Sequence, residues 1–269
     1  MGRPLHLTSD DGVVGPFTLQ LEVSARAFED SIGRQPIAST ITSDGPQLRV
    51  GKWSVNATYA TPWSPQIDWA IFRDRPGVRL SNLRHLTYPP PSPPASAWEV
   101  RMESRLHFYV EEFCDALKGF DADRIARATL GLAGLGPGLT PAGDDYLSGA
   151  VLALCTAPTS LRDSITSVIL AGVRGRTSQI SWATLQAASL GEAAEPWHRL
   201  AAALVDVHSD EVVRAASGVR QLGHSTGFWS LRGFVDTLEV VNNAEGAAGC
   251  PPLRREAWSR WVPLVSLPD

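Results

Sequence analysis

The chain has 269 residues, of which 43% are hydrophobic and 19% are charged, and its formal net charge is −4 at pH 7. This length holds one large domain or two modest ones with ample core. The arginines are scattered and form no basic stripe, which argues against nucleic acid as a partner. No apolar run reaches the roughly 20 residues of a membrane span, so we expect no membrane partner either.

Cysteine usage and the N-terminus indicate the compartment. Cys114, Cys155 and Cys250 are far apart and form no CxxC pair. This pattern favours a reducing environment over a disulfide scaffold and argues against a cysteine zinc site. Residues 1–7 lack the apolar core of a secretory signal. We therefore expect a cytoplasmic protein.

The first part of the chain, from about residue 13 to residue 72, is predicted to be β structure. Short runs at 17–23 and 47–50 alternate apolar and polar side chains, and this period of two is typical of strands. Turn signals such as Ser-Asp-Gly-Pro at 43–46 separate the runs. Several short strands without a strong helical stretch predict a small barrel or sandwich.

Helical spacing of apolar residues dominates after a proline-rich segment at 88–94, which is predicted to be an extended linker. The spacing predicts eight helices, at about 101–118, 121–132, 141–155, 161–173, 178–190, 195–207, 210–222 and 228–241. The helical pattern as a whole begins at Trp98, a few residues before the first predicted helix. Beyond residue 242 the tail is expected to be irregular, with Trp258 and Trp261 tying it to the body.

The predicted fold class is therefore α+β, with a small β barrel or sandwich-like N-terminal region followed by an all-helical C-terminal domain. The predicted boundaries are 1–87 for the β-rich domain and 88–97 for the Pro-rich linker. The helical domain is predicted to span 98–269 and to carry a glycine-rich site loop.

That loop, at 134–145, is the most informative stretch, with the sequence Gly-Leu-Gly-Pro-Gly-Leu-Thr-Pro-Ala-Gly-Asp-Asp. Thr140 can cap a helix N-terminus, and Pro141 suits the first helical position because its missing N–H is not needed there. The apolar run after it predicts a buried helix. No Gly-Lys-Ser/Thr follows and no strand precedes it, so it is neither of the standard nucleotide-binding loops.

The loop and the helix start favour a binding site. Gly136, Gly138 and Gly143 leave backbone N–H groups accessible, and Asp144 and Asp145 add two carboxylates beside a positive helix end. This combination suits an anion, a metal ion, or both. The structural alternative is that the aspartates complement the helix dipole and the glycines permit a tight corner.

A second candidate segment spans 174–181. Arg176 can hold a carboxylate or phosphate, or it can neutralise the end of the preceding helix. Thr177 or Ser178 can cap the next helix. Thr177 and Ser181 share a small hydroxylated face, which either permits close helix packing or lines a polar cavity; this segment alone favours packing.

The third segment is the loop at 222–227, where Ser225, Thr226 and Gly227 follow His224. His224 can act as an acid, a base or an anion donor near neutral pH, although a single loop histidine more often caps a helix or faces solvent. The three segments repeat the same glycine and hydroxyl chemistry. Together they predict one composite polar site for a small, oxygen-rich anion.

The motif at 134–145 resembles the hallmark of a bacterial family long catalogued as a domain of unknown function. That family includes the smallest subunit of the allantoin-pathway oxamate carbamoyltransferase. Two further segments resemble the same family: the spacing of Thr177, Ile180 and Ser181 with the residues up to 191, and the loop 223–227. The region ending at 63–68 resembles the family more weakly.

The resemblance implies transfer of a carbamoyl group between oxalurate, phosphate, carbamoyl phosphate and oxamate, in a complex with other subunits. It implies catalytic roles for Asp144, Asp145 and His224, with magnesium at the two aspartates as an option. The implied substrate-binding residues are Gly136, Gly138, Thr140, Gly143, Arg176, Thr177, Ser181, Ser225, Thr226 and Gly227.

The chain departs from the family pattern at one site position. The family has an aspartate two residues after the position of Gly227, where this chain has Trp229, which implies a different substrate or a reduced metal site. Two alternatives to a transferase remain open from the sequence. One is a non-catalytic partner subunit of a larger complex, and the other is a metal-dependent hydrolase that uses Asp144 and Asp145.

Overall fold

The computed structural model describes residues 4–8, 14–20, 41–50, 53–56, 58–59, 64–72, 81–87, 96–206 and 209–246. The strands are β1 (Pro4–Thr8), β2 (Val14–Gln20), β3 (Ile41–Asp44), β4 (Gln47–Val50) and β5 (Trp53–Asn56). The helices are α1 (Ser81–Arg84), α2 (Ala97–Lys118), α3 (Ala122–Leu132), α4 (Ala142–Leu154), α5 (Thr159–Val173), α6 (Gln179–Ser189), α7 (Glu195–Asp206), α8 (Ser209–Arg220) and α9 (Thr226–Gly246).

The predicted α+β class with a β barrel or sandwich is wrong, because the part of the chain that the structure describes is predominantly helical. The described strands are four to seven residues long and form one antiparallel pair, β1–β2, and one three-stranded meander, β3–β4–β5. Part of the predicted β region, Trp69–Phe72, is a 3₁₀ turn. Alternation at period two detects local strand pairing, but it does not show how many strands assemble into one sheet.

The eight predicted helices are confirmed as α2–α9, with ends that differ from the prediction by a few residues. Side-chain caps explain several starts: Ser96 accepts a hydrogen bond from the N–H of Glu99, and Asp121 accepts one from Arg124. Ser178, one of the two predicted caps of α6, accepts from Ser181 N–H at 3.1 Å. Each cap satisfies an N–H that the helix itself leaves without a partner.

Helix α4 is the centre of the helical core, since all of its 13 residues are buried. It packs most extensively against α9. A Cβ atom on Gly149 would overlap the carbonyl oxygen of Ser230, and one on Gly233 would overlap that of Tyr146. The two glycines therefore permit the close crossing that brings the first turns of α4 and α9 together.

The backbone divides into two compact units, residues 1–64 and residues 65–269. The predicted boundaries at 87 and 97 stay a prediction, because 88–95 lies outside the described residues. The tail with Trp258 and Trp261 also lies outside them. Among the described helices, none has the length and apolar character needed to cross a membrane.

Candidate functional site

Asp144 connects two of the three predicted segments. One carboxylate oxygen, Oδ1, accepts a hydrogen bond of 2.8 Å from the N–H of Gly134, and Oδ2 accepts one from the hydroxyl of Thr177. Only 1% of Asp144 is exposed. Burial raises the pKa of this carboxyl, while the donors from Gly134, Thr177 and Ser181 act in the opposite direction. Asp144 therefore fixes the glycine loop and the start of α6 to the first turn of α4.

Asp145 lies beside it in a different environment. It is 4% exposed, and its Oδ2 has no hydrogen-bond partner among the described residues. Burial raises the pKa of Asp145 to about 8, with a further contribution from the charge of Asp144; the hydroxyls of Thr226 and Thr140 act against this shift. At neutral pH this side chain is therefore mainly a neutral carboxylic acid that can donate a hydrogen bond.

The third segment joins the other two through hydroxyl groups. The hydroxyls of Thr140 and Thr226 lie 2.8 Å apart, and Ser178 Oγ donates to the carbonyl of Leu139 at 2.6 Å. Thr140 is not the cap of α4, contrary to the sequence expectation, because the helix begins at Ala142 without a side-chain cap. Its hydroxyl instead connects the glycine loop to the start of α9.

The glycines of the loop permit close backbone contacts. Gly134, Gly136 and Gly138 have positive φ angles of 70°, 133° and 94°, which favour glycine. A Cβ atom on Gly136 would overlap the N–H of Ala142, and one on Gly143 would overlap the carbonyl of Leu132. Gly143 donates its N–H to Leu135 O at 2.8 Å, so that group already has a partner. Gly138 faces open space.

Two predicted residues lie at the surface. His224 is exposed in the turn before α9, and Arg176 is exposed before α6, where its carbonyl rather than its guanidinium approaches Gly134. Ser225 and Thr226 are half-buried, and Gly227 is buried against the carbonyl of Val219. The structure thus brings hydroxyls and acids together from the three segments, while the two cationic candidates are exposed.

Ser181 is a buried hydroxyl beside Asp144. It influences the pKa of Asp144, yet its Oγ makes no hydrogen bond of normal geometry with the described residues. Ser181 Oγ and Asp145 Oδ2 are therefore two buried polar atoms that make no hydrogen bond of normal geometry with the described residues. Such atoms carry a free-energy cost unless a ligand or water satisfies them.

Gly134 was not among the predicted site residues, although its N–H donates a hydrogen bond to Asp144. The glycine itself was visible in the motif, but the contact across ten residues depends on how the loop folds back. Trp229, at the position where the resemblance predicted an aspartate, is buried in the core and lies under the guanidinium of Arg232 at 5.5 Å. It therefore contributes packing where a carboxylate was expected.

The donor set does not fit a resident magnesium ion. No group of three or more His, Cys, Asp or Glu side chains suitable for a metal occurs in the described part of the chain. Both oxygens of Asp144 already accept hydrogen bonds, and the pKa of Asp145 is about 8. Metal ligands of this type must be deprotonated, so this pair is poorly suited to hold one.

Comparison with known proteins identifies the region that contains this arrangement. Residues 132–238 match the family model described as oxamate carbamoyltransferase subunit AllH. The match begins at the end of α3 and extends into α9, so it includes all three site segments. No solved structure gives a significant match to the chain. Over residues 132–238, which include the whole site, the chain is therefore similar to the family of oxamate carbamoyltransferase subunit AllH, and this similarity supports the family suspected from the motif.

Proposed function

We propose that this protein is a subunit of a carbamoyltransferase and that it binds a small carbamoyl-bearing anion between the glycine loop and α6. The observation that carries the proposal is the pair of buried atoms without partners, Asp145 Oδ2 and Ser181 Oγ, beside Asp144. The family description of an oxamate carbamoyltransferase subunit supports the same chemistry.

A carbamoyl group matches the requirements of these atoms. It is planar and offers an NH₂ group as a donor and a carbonyl oxygen as an acceptor. Protonated Asp145 donates to the carbonyl oxygen, and the oxygen of Ser181 accepts from the NH₂ group. Because Asp145 is neutral near pH 7, it adds no repulsion toward the carboxylate or phosphate that the same ligand carries.

Asp145 is also placed to move a proton. When oxalurate reacts with phosphate, the bond between the oxamate nitrogen and the carbamoyl carbon breaks, a carbon–oxygen bond to phosphate forms, and the nitrogen gains a proton. Asp145, protonated near neutral pH, supplies that proton, and the proton that hydrogen phosphate loses as it forms the carbon–oxygen bond restores the acid; the reverse direction runs the same two transfers backward. The remaining contribution of the site is to position the reactants.

Access to the acids requires the glycine loop to move, since Asp144 and Asp145 are almost fully covered. The loop is held at Leu139 and Thr140 by single hydrogen bonds to the other two segments, and Leu139 is 70% exposed. We propose that the substrate enters when these two contacts open.

Calorimetric titration of the purified full-length chain tests the function. The ligands are carbamoyl phosphate, oxamate, oxalurate and inorganic phosphate, each with magnesium and with a chelator. We expect a carbamoyl-bearing ligand to bind, with at least about tenfold weaker binding to Ser181→Ala and Asp145→Ala, because each loses one complementary group. Ser167→Ala, which alters an exposed hydroxyl of α5, is the matched control.

Binding that is equal in Ser181→Ala and wild type would overturn the assignment of the site. Binding that appears only with magnesium would instead support the metal-dependent alternative, contrary to the donor set. Turnover assayed with the companion subunits should decline as pH rises through about 8, where Asp145 loses its proton. A profile without that decline would exclude Asp145 as the proton donor.

A further inference from the structure

The first half of α2 carries an unusual surface stripe. Trp98, Arg101, Arg105 and Phe108 follow one another at intervals of three, four and three residues, so they share one face of the helix. Trp98 is 55% exposed and Phe108 is 56% exposed, and both arginines are exposed as well. We call these four residues the α2 stripe.

The positive charges of the two arginines are not neutralised by an ion pair with the described residues. Within the described ranges, neither Arg101 nor Arg105 takes part in an ion pair. Exposed tryptophan, phenylalanine and arginine are the residue types that concentrate binding energy at protein interfaces. The stripe therefore has the composition of an interface centre and a positive charge that calls for an acidic partner.

A cavity of about 380 Å³ connects the stripe to the glycine loop. It is lined by Trp98, Arg101, Met102, Arg105, Gly134, Leu135 and Gly136. A cavity with an indole, aliphatic side chains and two guanidinium groups suits an apolar side chain that is flanked by carboxylates. The spacing of the stripe is that of a helix seam, which favours a helix as the segment that lies along it.

The loop thus has two functional sides. On one side the N–H of Gly134 holds the carboxylate of Asp144, and on the other Gly134 and Gly136 line the cavity under the stripe. A segment bound in the cavity would contact the backbone that positions the two acids. Docking at the stripe and the state of the site are therefore coupled through Gly134 and Gly136.

We propose that the α2 stripe is the docking surface for an acidic, amphipathic helix of a companion carbamoyltransferase subunit, which inserts an apolar side chain beside Gly134 and Gly136. This inference rests on the proposed function for the existence of the companion. The exposed residues of the α2 stripe indicate the surface, and its two arginines indicate an acidic partner. The lining of the cavity indicates the contact with the glycine loop.

The test is binding of the full-length chain to the co-expressed companion subunits of the oxamate carbamoyltransferase from the same organism, measured by biolayer interferometry. We expect Trp98→Ala, and the double variant Arg101→Glu with Arg105→Glu, to weaken binding at least about tenfold. The wild-type association rate should decline with added salt, and the double variant should lose that dependence.

Two controls match these changes elsewhere on the surface. Arg214→Glu reverses an exposed charge on α8, and Leu190→Ser removes an apolar side chain that is 66% exposed at the end of α6. Both should stay within about twofold of wild type. Circular dichroism of every variant checks the fold.

Several results would overturn the proposal. One is that the Trp98 and arginine variants bind the companions with wild-type affinity. Another is that the chain forms no complex with the companions. A third is that the chain forms a dimer that the stripe variants dissociate. Asp145→Ala separates this proposal from the ligand site. Gly134 donates to Asp144 and not to Asp145, so this variant should keep full affinity for the companions while it loses ligand binding. If it loses both, the stripe is not an independent docking surface.

Discussion

Two groups of acids in the helical core, half-buried Asp236 and the buried pair Asp144 and Asp145, are neutralised in different ways. Asp236 lies 3.6 Å from Arg232 Nε, accepts a hydrogen bond from the Tyr146 hydroxyl at 3.3 Å and lines a cavity of about 740 Å³. Asp144 and Asp145 have only hydroxyls and one backbone N–H around them, and no described cation pairs with either.

The presence or absence of a cationic partner distinguishes the two groups: Asp236 has one and is interpreted as a structural acid, whereas Asp145 has none and is the proposed proton donor. Burial raises the pKa of Asp236, but Arg232 opposes that shift and gives the carboxylate a permanent partner. Asp145 has no such partner, so burial dominates and raises the pKa of its carboxyl to about 8. Polar groups that satisfy one another stabilise a fold, whereas groups left without partners point to a ligand.

The largest expected effect concerns the helix crossing on which both groups depend. Gly149→Ala should lower the free energy of unfolding by about 3 kcal/mol, because the new methyl group would overlap the carbonyl of Ser230 and force α4 and α9 apart. Urea denaturation measures this loss. Gly218→Ala, where a Cβ atom would meet nothing within 4 Å, should instead be neutral or stabilise α8 by about 0.5 kcal/mol.

Replacing the structural acid should affect stability alone. Asp236→Asn should lower the free energy of unfolding by about 2 kcal/mol, since the buried guanidinium of Arg232 loses its carboxylate while the asparagine is partly solvated. Urea denaturation and ligand titration on the same sample compare the two roles. A loss of ligand affinity in this variant would invalidate the distinction between the two groups.

Replacing the available acid should change the pH dependence of stability. The pKa of Asp145 is about 8 in the folded protein against an ordinary 3.8, so between these values the folded protein holds a proton that the unfolded chain has lost. The free energy of unfolding therefore declines as pH rises from about 4 to about 8 and then levels off. Between pH 5 and pH 8, Asp145→Asn should reduce the decrease in Tm by at least about 4 °C.

The comparison uses the slope with pH rather than the Tm itself, because a buried asparagine amide adds its own cost. Asp163→Asn, on the exposed face of α5, should keep the wild-type slope. An unchanged slope in Asp145→Asn would mean that the folded protein does not hold the proton, and the proton-donor role would be lost with it.

The smallest expected effect is at the rim of the larger cavity. Arg84 and Glu239 form an ion pair there, with side chains 61% and 37% exposed. Glu239→Gln should change the free energy of unfolding by less than about 0.5 kcal/mol, because solvent and salt screen such a pair. Urea denaturation measures this change. A larger decrease in the free energy of unfolding would show that α1 depends on this ion pair and that exposed and half-buried pairs contribute similarly here.

The sequence predicted most of the helices from a regular apolar face or a cap, as at Asp121, and it predicted the buried helix α4 from its continuous apolar run. It predicted that three distant segments share one polar site from their common glycine and hydroxyl chemistry. It did not predict the partners within the site. Thr140 was expected to cap α4, but its hydroxyl contacts Thr226, 86 residues away, and no local pattern encodes such a distance.

The sheet prediction was wrong for a related reason. Strand alternation is a local property, whereas a barrel or sandwich requires a particular number of strands in a particular order. The role of Asp145 also depends on assembly, since two adjacent aspartates are equivalent in sequence. The two differ only in the folded protein, where Gly134 and Thr177 donate hydrogen bonds to Asp144 and not to Asp145. Asp144 therefore connects the segments, and Asp145 is the one proposed to contact the ligand.

The burial of α4 has a consequence for the chain before it folds. Residues 146–154 are a nearly uninterrupted apolar stretch, which in an unfolded or newly synthesised chain is prone to self-association. Asp144 and Asp145 are ordinary ionised aspartates at that stage and flank the stretch with two negative charges. The same residues would thus protect the nascent chain from aggregation, and Asp145 would give up its charge only when the helix enters the core.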